Sequence, residues 1–203
     1  SLASRFAYYF MKQIVPKVDC CIDFHTGGAS RFNAPQLRID GGNQACLELA
    51  EVFGTKFILY APNRDKSFRQ AAGKLGKTVL LFEGGKSLNI NPDVTVAGVE
   101  GSLRVMHHLG MRNFSKEIAA FGKTPKPVVI QESAWVRAKY SGMFRAHLKI
   151  GAKASKGDLI GTITDPFGKF RSQVKAPWDG YVLALNQHPI VNQGNALAHM
   201  SKG

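Results

Sequence analysis

The sequence predicts an α/β fold: a layer of helices and a mostly parallel sheet over residues 1–122, followed by a small all-β barrel or sandwich over residues 128–203. Three observations carry this expectation. Segments with helical periodicity alternate with short apolar runs up to about residue 112, the pattern of strands connected through helices. A Lys/Pro segment, Lys123-Thr124-Pro125-Lys126-Pro127, then interrupts the chain. From Val128 onward the helical period is lost, and strand-like runs are separated by Gly151, Gly157, Asp165-Pro166-Phe167-Gly168 and Asp179-Gly180, roughly every ten residues.

The elements follow in chain order. Leu2, Phe6, Tyr9, Phe10 and Ile14 recur near helical spacing, so residues 2–14 are expected as an amphipathic helix that Pro16 ends. Val18 to Phe24 is a short apolar run bounded by Pro16 and Gly27-Gly28, hence a buried strand with Asp23, His25 and Thr26 at its carboxyl end. Asn43 to Phe53 reads as a helix stopped by Gly54, and Lys56 to Ala61 as a second strand. Ser67 caps a helix running to about Leu75 and closed by Gly76. Thr78 to Phe82 forms a third buried strand ending at Glu83. Asn91-Pro92 supplies an N-cap and a first helical residue for a helix to about Met111.

Composition narrows the function classes. At 203 residues, with 44% hydrophobic and 10% aromatic residues, the chain has the apolar surface that a disordered tail lacks, and its length suits one large domain or two small ones. Lys+Arg number 27 against 14 Asp+Glu, so the formal net charge is 27 − 14 = +13. The cations are scattered from Arg5 to Lys202 without a block, and no nucleic-acid module interleaves them with aromatics. No nucleic-acid partner is therefore expected; scattered charge suits the steering of a small anionic substrate. Three cysteines, with Cys20 and Cys21 adjacent, do not form a disulfide framework, which fits a reducing, cytoplasmic location. No run approaches the roughly 20 apolar residues of a membrane span, and Ser1-Leu2-Ala3-Ser4-Arg5 opens no signal peptide.

Two strands end in reactive residues, where open α/β sheets gather their ligands. The first ends Asp23-Phe24-His25-Thr26-Gly27-Gly28 and the second Leu81-Phe82-Glu83-Gly84-Gly85. A histidine beside glycines can present a ring nitrogen to a metal, and Asp23, two positions earlier, shares its strand face and can orient the ring. A glutamate in a glycine-flanked turn can serve as general base.

Asp23-Phe24-His25-Thr26-Gly27, Ser67-Phe68-Arg69, Leu81-Phe82-Glu83-Gly84-Gly85 and the β region together resemble the succinylglutamate desuccinylase/aspartoacylase family of zinc carboxypeptidase-like hydrolases, over essentially the whole chain. The resemblance implies zinc as cofactor, His25 as one of its three ligands, Glu83 as the residue that activates the metal-bound water, and Arg69 as a substrate-carboxylate ligand. It implies a small carboxylate-bearing amide, an N-acyl amino acid, as substrate. Ser133-Ala134-Trp135-Val136-Arg137-Ala138 and Ala176-Pro177-Trp178-Asp179-Gly180 are similar to the β domain of the family's bacterial members, and this region is expected to pack on the catalytic layer and shape the cleft or a homo-oligomer interface.

The family's first two ligands come from a His-Gly-x-Glu-type motif, and none precedes His25. Catalytic zinc takes three protein ligands. The chain is thus expected to be a C-terminal portion of the enzyme, retaining one ligand and the base and binding zinc weakly alone. His107-His108 on a helix, His147, His188 and His199 in the β region, and Cys20-Cys21 on a strand are expected to play structural parts. A rival expectation comes from Lys149 to Asp158 followed by Ala176 to Gly180, similar to biotinyl and lipoyl carrier domains. The tip Asp165-Pro166-Phe167-Gly168-Lys169 lacks their modified-lysine context, leaving a degenerate binding module as the alternative to an enzyme. No Gly-x-Ser-x-Gly elbow or glycine-rich phosphate loop is present.

Overall fold

A computed structural model describes all residues, 1–203. The chain is mixed α/β. It opens with α1 (Leu2–Tyr9), capped by Ser1, whose hydroxyl accepts the Ser4 N–H at 3.2 Å. Helical backbone continues as a π-helical segment, Phe10–Ile14, and a 3₁₀ turn, Val15–Lys17. Pro16 therefore sits inside the first turn of that segment, where its missing N–H has no intrahelical role. No residue of α1 is buried, and Leu2 and Phe6 are 83% and 71% exposed, so the expected core-facing stripe is uncovered there. Packing begins one turn later: Phe10 meets Phe68 with ring centroids 5.6 Å apart, and Val15 is fully buried with Ala72 and Val79.

The strands and helices that follow are β1 (Cys20–Gly27), β2 (Arg31–Ile39), α2 (Gln44–Phe53), β3 (Phe57–Tyr60), α3 (Phe68–Lys74), β4 (Thr78–Lys86), α4 (Pro92–His108), α5 (Ser115–Ala120) and β5 (Val128–Ile130). Capping chemistry sets several boundaries. Asn43 accepts the Cys46 N–H at 3.0 Å to start α2, and Gly54 ends it at φ 88°, a left-handed conformation that suits glycine. Ser67 accepts the Gln70 N–H at 3.2 Å to start α3. The sequence reading assigned no element to β2; that strand carries Pro35 and lacks clean alternation, yet Gln36, Leu37 and Ile39 are fully buried.

The remaining elements are strands only: β6 (Ser133–Arg137), β7 (Gly142–Ala146), β8 (Lys153–Ala154), β9 (Leu159–Thr164), β10 (Arg171–Lys175), β11 (Gly180–Asn186), β12 (Ile190–Val191) and β13 (Ala196–Ser201).

Contacts divide the chain into two compact units, one of residues 1–25, 37–82 and 96–129, the other of residues 26–36, 83–95 and 130–203. In the first, the hydrogen-bonded strand order is β1-β4-β2-β3-β5. Helix α4 packs through glycines: a Cβ at Gly98 would stand 3.3 Å from the Phe24 ring, and one at Gly101 would collide with the Phe53 ring. Phe82 lies between them, its ring edge-on to that of Phe24 at 5.6 Å and tilted against that of Phe53 at 5.3 Å.

In the second unit, β2, β11, β13 and β6 form consecutive antiparallel pairs, with Asn33 opposite Ala184 and Trp135 opposite His199. A four-stranded sheet of order β10-β9-β7-β12 accompanies them. Ile160, Ile163, Val182, Leu197 and Met200, all fully buried, form the centre of this unit's core. Each such side chain contributes about 1.5–3 kcal/mol by leaving water. No helix is long and apolar enough to cross a membrane.

Candidate active site

Strand β1 carries Asp23 and His25 two positions apart, hence on one face. The pair is formed: His25 Nε2 lies 3.1 Å from Asp23 Oδ2, with the imidazole 51% exposed. A carboxylate at Nε2 holds the proton there, which leaves the Nδ1 lone pair for a ligand.

Strand β4 carries Glu83, whose Oε1 accepts a 2.7 Å hydrogen bond from Asn33 Nδ2. Asn33, on β2, is only 4% exposed. Sequence reasoning missed Asn33, because its partner is 50 residues away and its strand carries no clear periodic signal.

Neither His25 nor Glu83 stands at a strand end, a correction to the sequence reading. β1 continues to Gly27 and β4 to Lys86. The glycines expected to break the strands instead permit close passage: a Cβ at Gly27 would collide with the Arg31 carbonyl and come within 2.9 Å of that of Gly85. The Ser87 N–H donates to the Gly27 carbonyl at 3.1 Å, extending the contact.

Arg69 lies in the first turn of α3 and is 8% exposed. Its Nη2 donates to the carbonyls of Ala61 and Pro62, both at 3.0 Å, while the buried Nη1 has no hydrogen-bond partner. Burial holds the guanidinium pKa below its usual value, against the opposing pull of Asp40. Arg69 shares a cavity of about 270 Å³ with Asp40, Asn43, Asn63, Lys74 and Lys77. Neither Asp23 nor His25 lines it.

The other histidines have partners of their own. His107 Nδ1 accepts the Phe114 N–H at 3.1 Å, His108 Nε2 lies 3.2 Å from Glu48 Oε1, and His147 Nε2 lies 3.3 Å from the Thr162 hydroxyl. His188 Nδ1 lies 2.7 Å from the Ile190 carbonyl, and His199 stacks on Trp135. Burial pushes the Cys20 and Cys21 thiols up, which favours their protonated form. No three His, Cys, Asp or Glu side chains are grouped as a metal site. As a donor set for catalytic zinc, the chain offers the one imidazole of His25 where three protein ligands are needed. Lys169 is exposed on the turn between β9 and β10, its N–H bonded to Asp165 Oδ1 at 2.8 Å.

Residues 1–109 match the catalytic domain of succinylglutamate desuccinylase and aspartoacylase. The chain belongs to the succinylglutamate desuccinylase/aspartoacylase family. Within and around this family, it is 24% identical over 212 aligned positions to an N-alpha-acetyl-L-2,4-diaminobutyric acid deacetylase of Halomonas elongata, covering 98% of this chain and 60% of that protein. Its fold is similar to that of the ectoine utilization protein EutE (DoeB) from Ruegeria pomeroyi, with a TM-score of 0.85 at 19% identity, covering 100% of this chain and 66% of that one. A succinylglutamate desuccinylase/aspartoacylase from Rhodobacter sphaeroides gives a TM-score of 0.79 at 22% identity, covering 100% and 64%. This family member thus spans between 60% and 66% of the lengths of these relatives.

Proposed function

We propose that this chain supplies the general base and one metal ligand of a zinc-dependent hydrolase that cleaves the amide bond of N-acyl amino acids. The observation that carries the reading is the pair of strand-borne constellations, Asp23 with His25 and Asn33 with Glu83, within the family's catalytic domain. When bound, zinc polarises a scissile carbonyl and lowers the pKa of a coordinated water to about 7. His25 fits as one ligand through Nδ1, while its Nε2 stays with Asp23. Two further ligands are required, and the chain alone is expected to hold the metal weakly.

The protein's own part is proton handling and positioning. Glu83 takes a proton from the attacking water and returns it to the leaving amine. The amide of Asn33 orients the Glu83 carboxylate through a hydrogen bond to Oε1. Arg69 brings an unpartnered Nη1 suited to a substrate carboxylate, two other hydrogen bonds already holding its fork in place. The Halomonas relative is a deacetylase, so acetyl is the first acyl group to test.

The experiment is a zinc titration by calorimetry joined to hydrolysis of N-acetyl and N-succinyl amino acids. Expected are zinc binding weaker than about 1 μM that is lost in His25→Ala, and slow zinc-stimulated hydrolysis lost in Glu83→Gln. Sub-micromolar binding that survives His25→Ala would overturn the metal assignment.

A further inference from the structure

Strands β6 and β10 are the terminal strands of their sheets, β6 pairing only with β13 and β10 only with β9. Each leaves one row of backbone N–H and C=O groups without a strand partner, which is a template for another extended chain. The two edges line one cavity of about 490 Å³, a volume typical of ligand sites. Its charged walls are all cationic, Arg137, Lys139 and Lys175, with no acidic side chain among the lining residues. On β10 the exposed positions alternate as Arg171, Gln173 and Lys175, while Val174 is buried between them. Such an edge repels a basic strand and attracts one bearing acidic residues at every second position.

We infer that this groove binds an extended acidic segment of a partner protein, which adds as a strand along β10. Two other occupants fit less well. Single-stranded nucleic acid needs open aromatic faces for its bases. Here Trp135 stacks on His199 at 4.6 Å and lies 5.4 Å from the Arg31 guanidinium. Trp178 donates its indole N–H to the Ser201 carbonyl at 2.7 Å and carries the Lys202 ammonium 5.8 Å from its ring centre. A second copy of this chain lacks the complementary segment: its 14 acidic residues are dispersed, and Glu48 and Glu51, three positions apart, are the nearest pair.

Trp135 and Trp178 are the chain's 2 tryptophans and both line the groove, so intrinsic fluorescence reports on it directly. The probe is the octapeptide with Val and Asp alternating, titrated against the full chain at low and high salt. A saturable emission change is expected, weakened about tenfold or more by Lys175→Glu, by high salt, and by methylating alternate backbone nitrogens of the peptide. The methylated peptide keeps the charge pattern and removes strand pairing, so it tests the binding mode without altering the protein. No saturable change up to about 1 mM, equal binding of the methylated peptide, or tighter binding of an octathymidylate would each overturn the proposal.

Discussion

A carboxylate acts as an efficient base when its orientation is fixed before the proton arrives. Glu83 is oriented by the 2.7 Å hydrogen bond that its Oε1 accepts from Asn33. Asn33→Ala is therefore expected to lower turnover about tenfold or more with little change in KM, and steady-state kinetics at saturating zinc check it. In the proposed site Asp23 stands one step further back, 3.1 Å from the imidazole of His25. Asp23→Asn is expected to weaken zinc binding about tenfold or more, read by calorimetry. The cysteines give a prediction with a definite sign. Because burial raises the Cys20 and Cys21 pKa values, the thiolate fraction at pH 8 falls below that of an exposed cysteine. Alkylation by iodoacetamide should be slower than for a free thiol at that pH and should accelerate on unfolding.

Elements whose boundaries rest on local chemistry were legible from the sequence. Helices α2 and α3 begin at Asn43 and Ser67 because those side chains accept N–H groups three residues on, an interaction written within four residues of sequence. Ser67→Ala should cost about 1 kcal/mol, measured by denaturant unfolding. Strand β2 was not legible: Asn33, Pro35, Gln36 and Arg38 give no alternating pattern, and the burial of Gln36 and Leu37 comes from strands distant in sequence. The candidate site divides in the same way. His25 and Glu83 stand in motifs of adjacent residues, whereas Asn33 meets Glu83 only through pairing across the sheet. Glycine at 98 and 101 also acquires meaning only from packing, since α4 needs those positions bare to approach Phe24 and Phe53. Gly101→Ala should cost about 1–3 kcal/mol by overpacking, again read from the unfolding midpoint.

For the whole molecule, the net charge of +13 and the scattered cations were first compatible with a small anionic substrate. The β6–β10 groove gives part of that charge a specific place, because Arg137, Lys139 and Lys175 converge on two open strand edges. Family membership rests on residues 1–109, and hydrolysis is the reading that joins those residues to the paired side chains on β1 and β4. On the proposed zinc reading three protein ligands are needed, so hydrolysis by the 203-residue chain is expected to be slow and to require metal in excess. The most direct measurement compares hydrolysis of N-acetyl amino acids by the wild-type chain and by Glu83→Gln at the same saturating zinc concentration. Slow turnover that falls about 100-fold or to background in Glu83→Gln is the predicted result, and equal rates in the two proteins would contradict the assignment of Glu83 as the base.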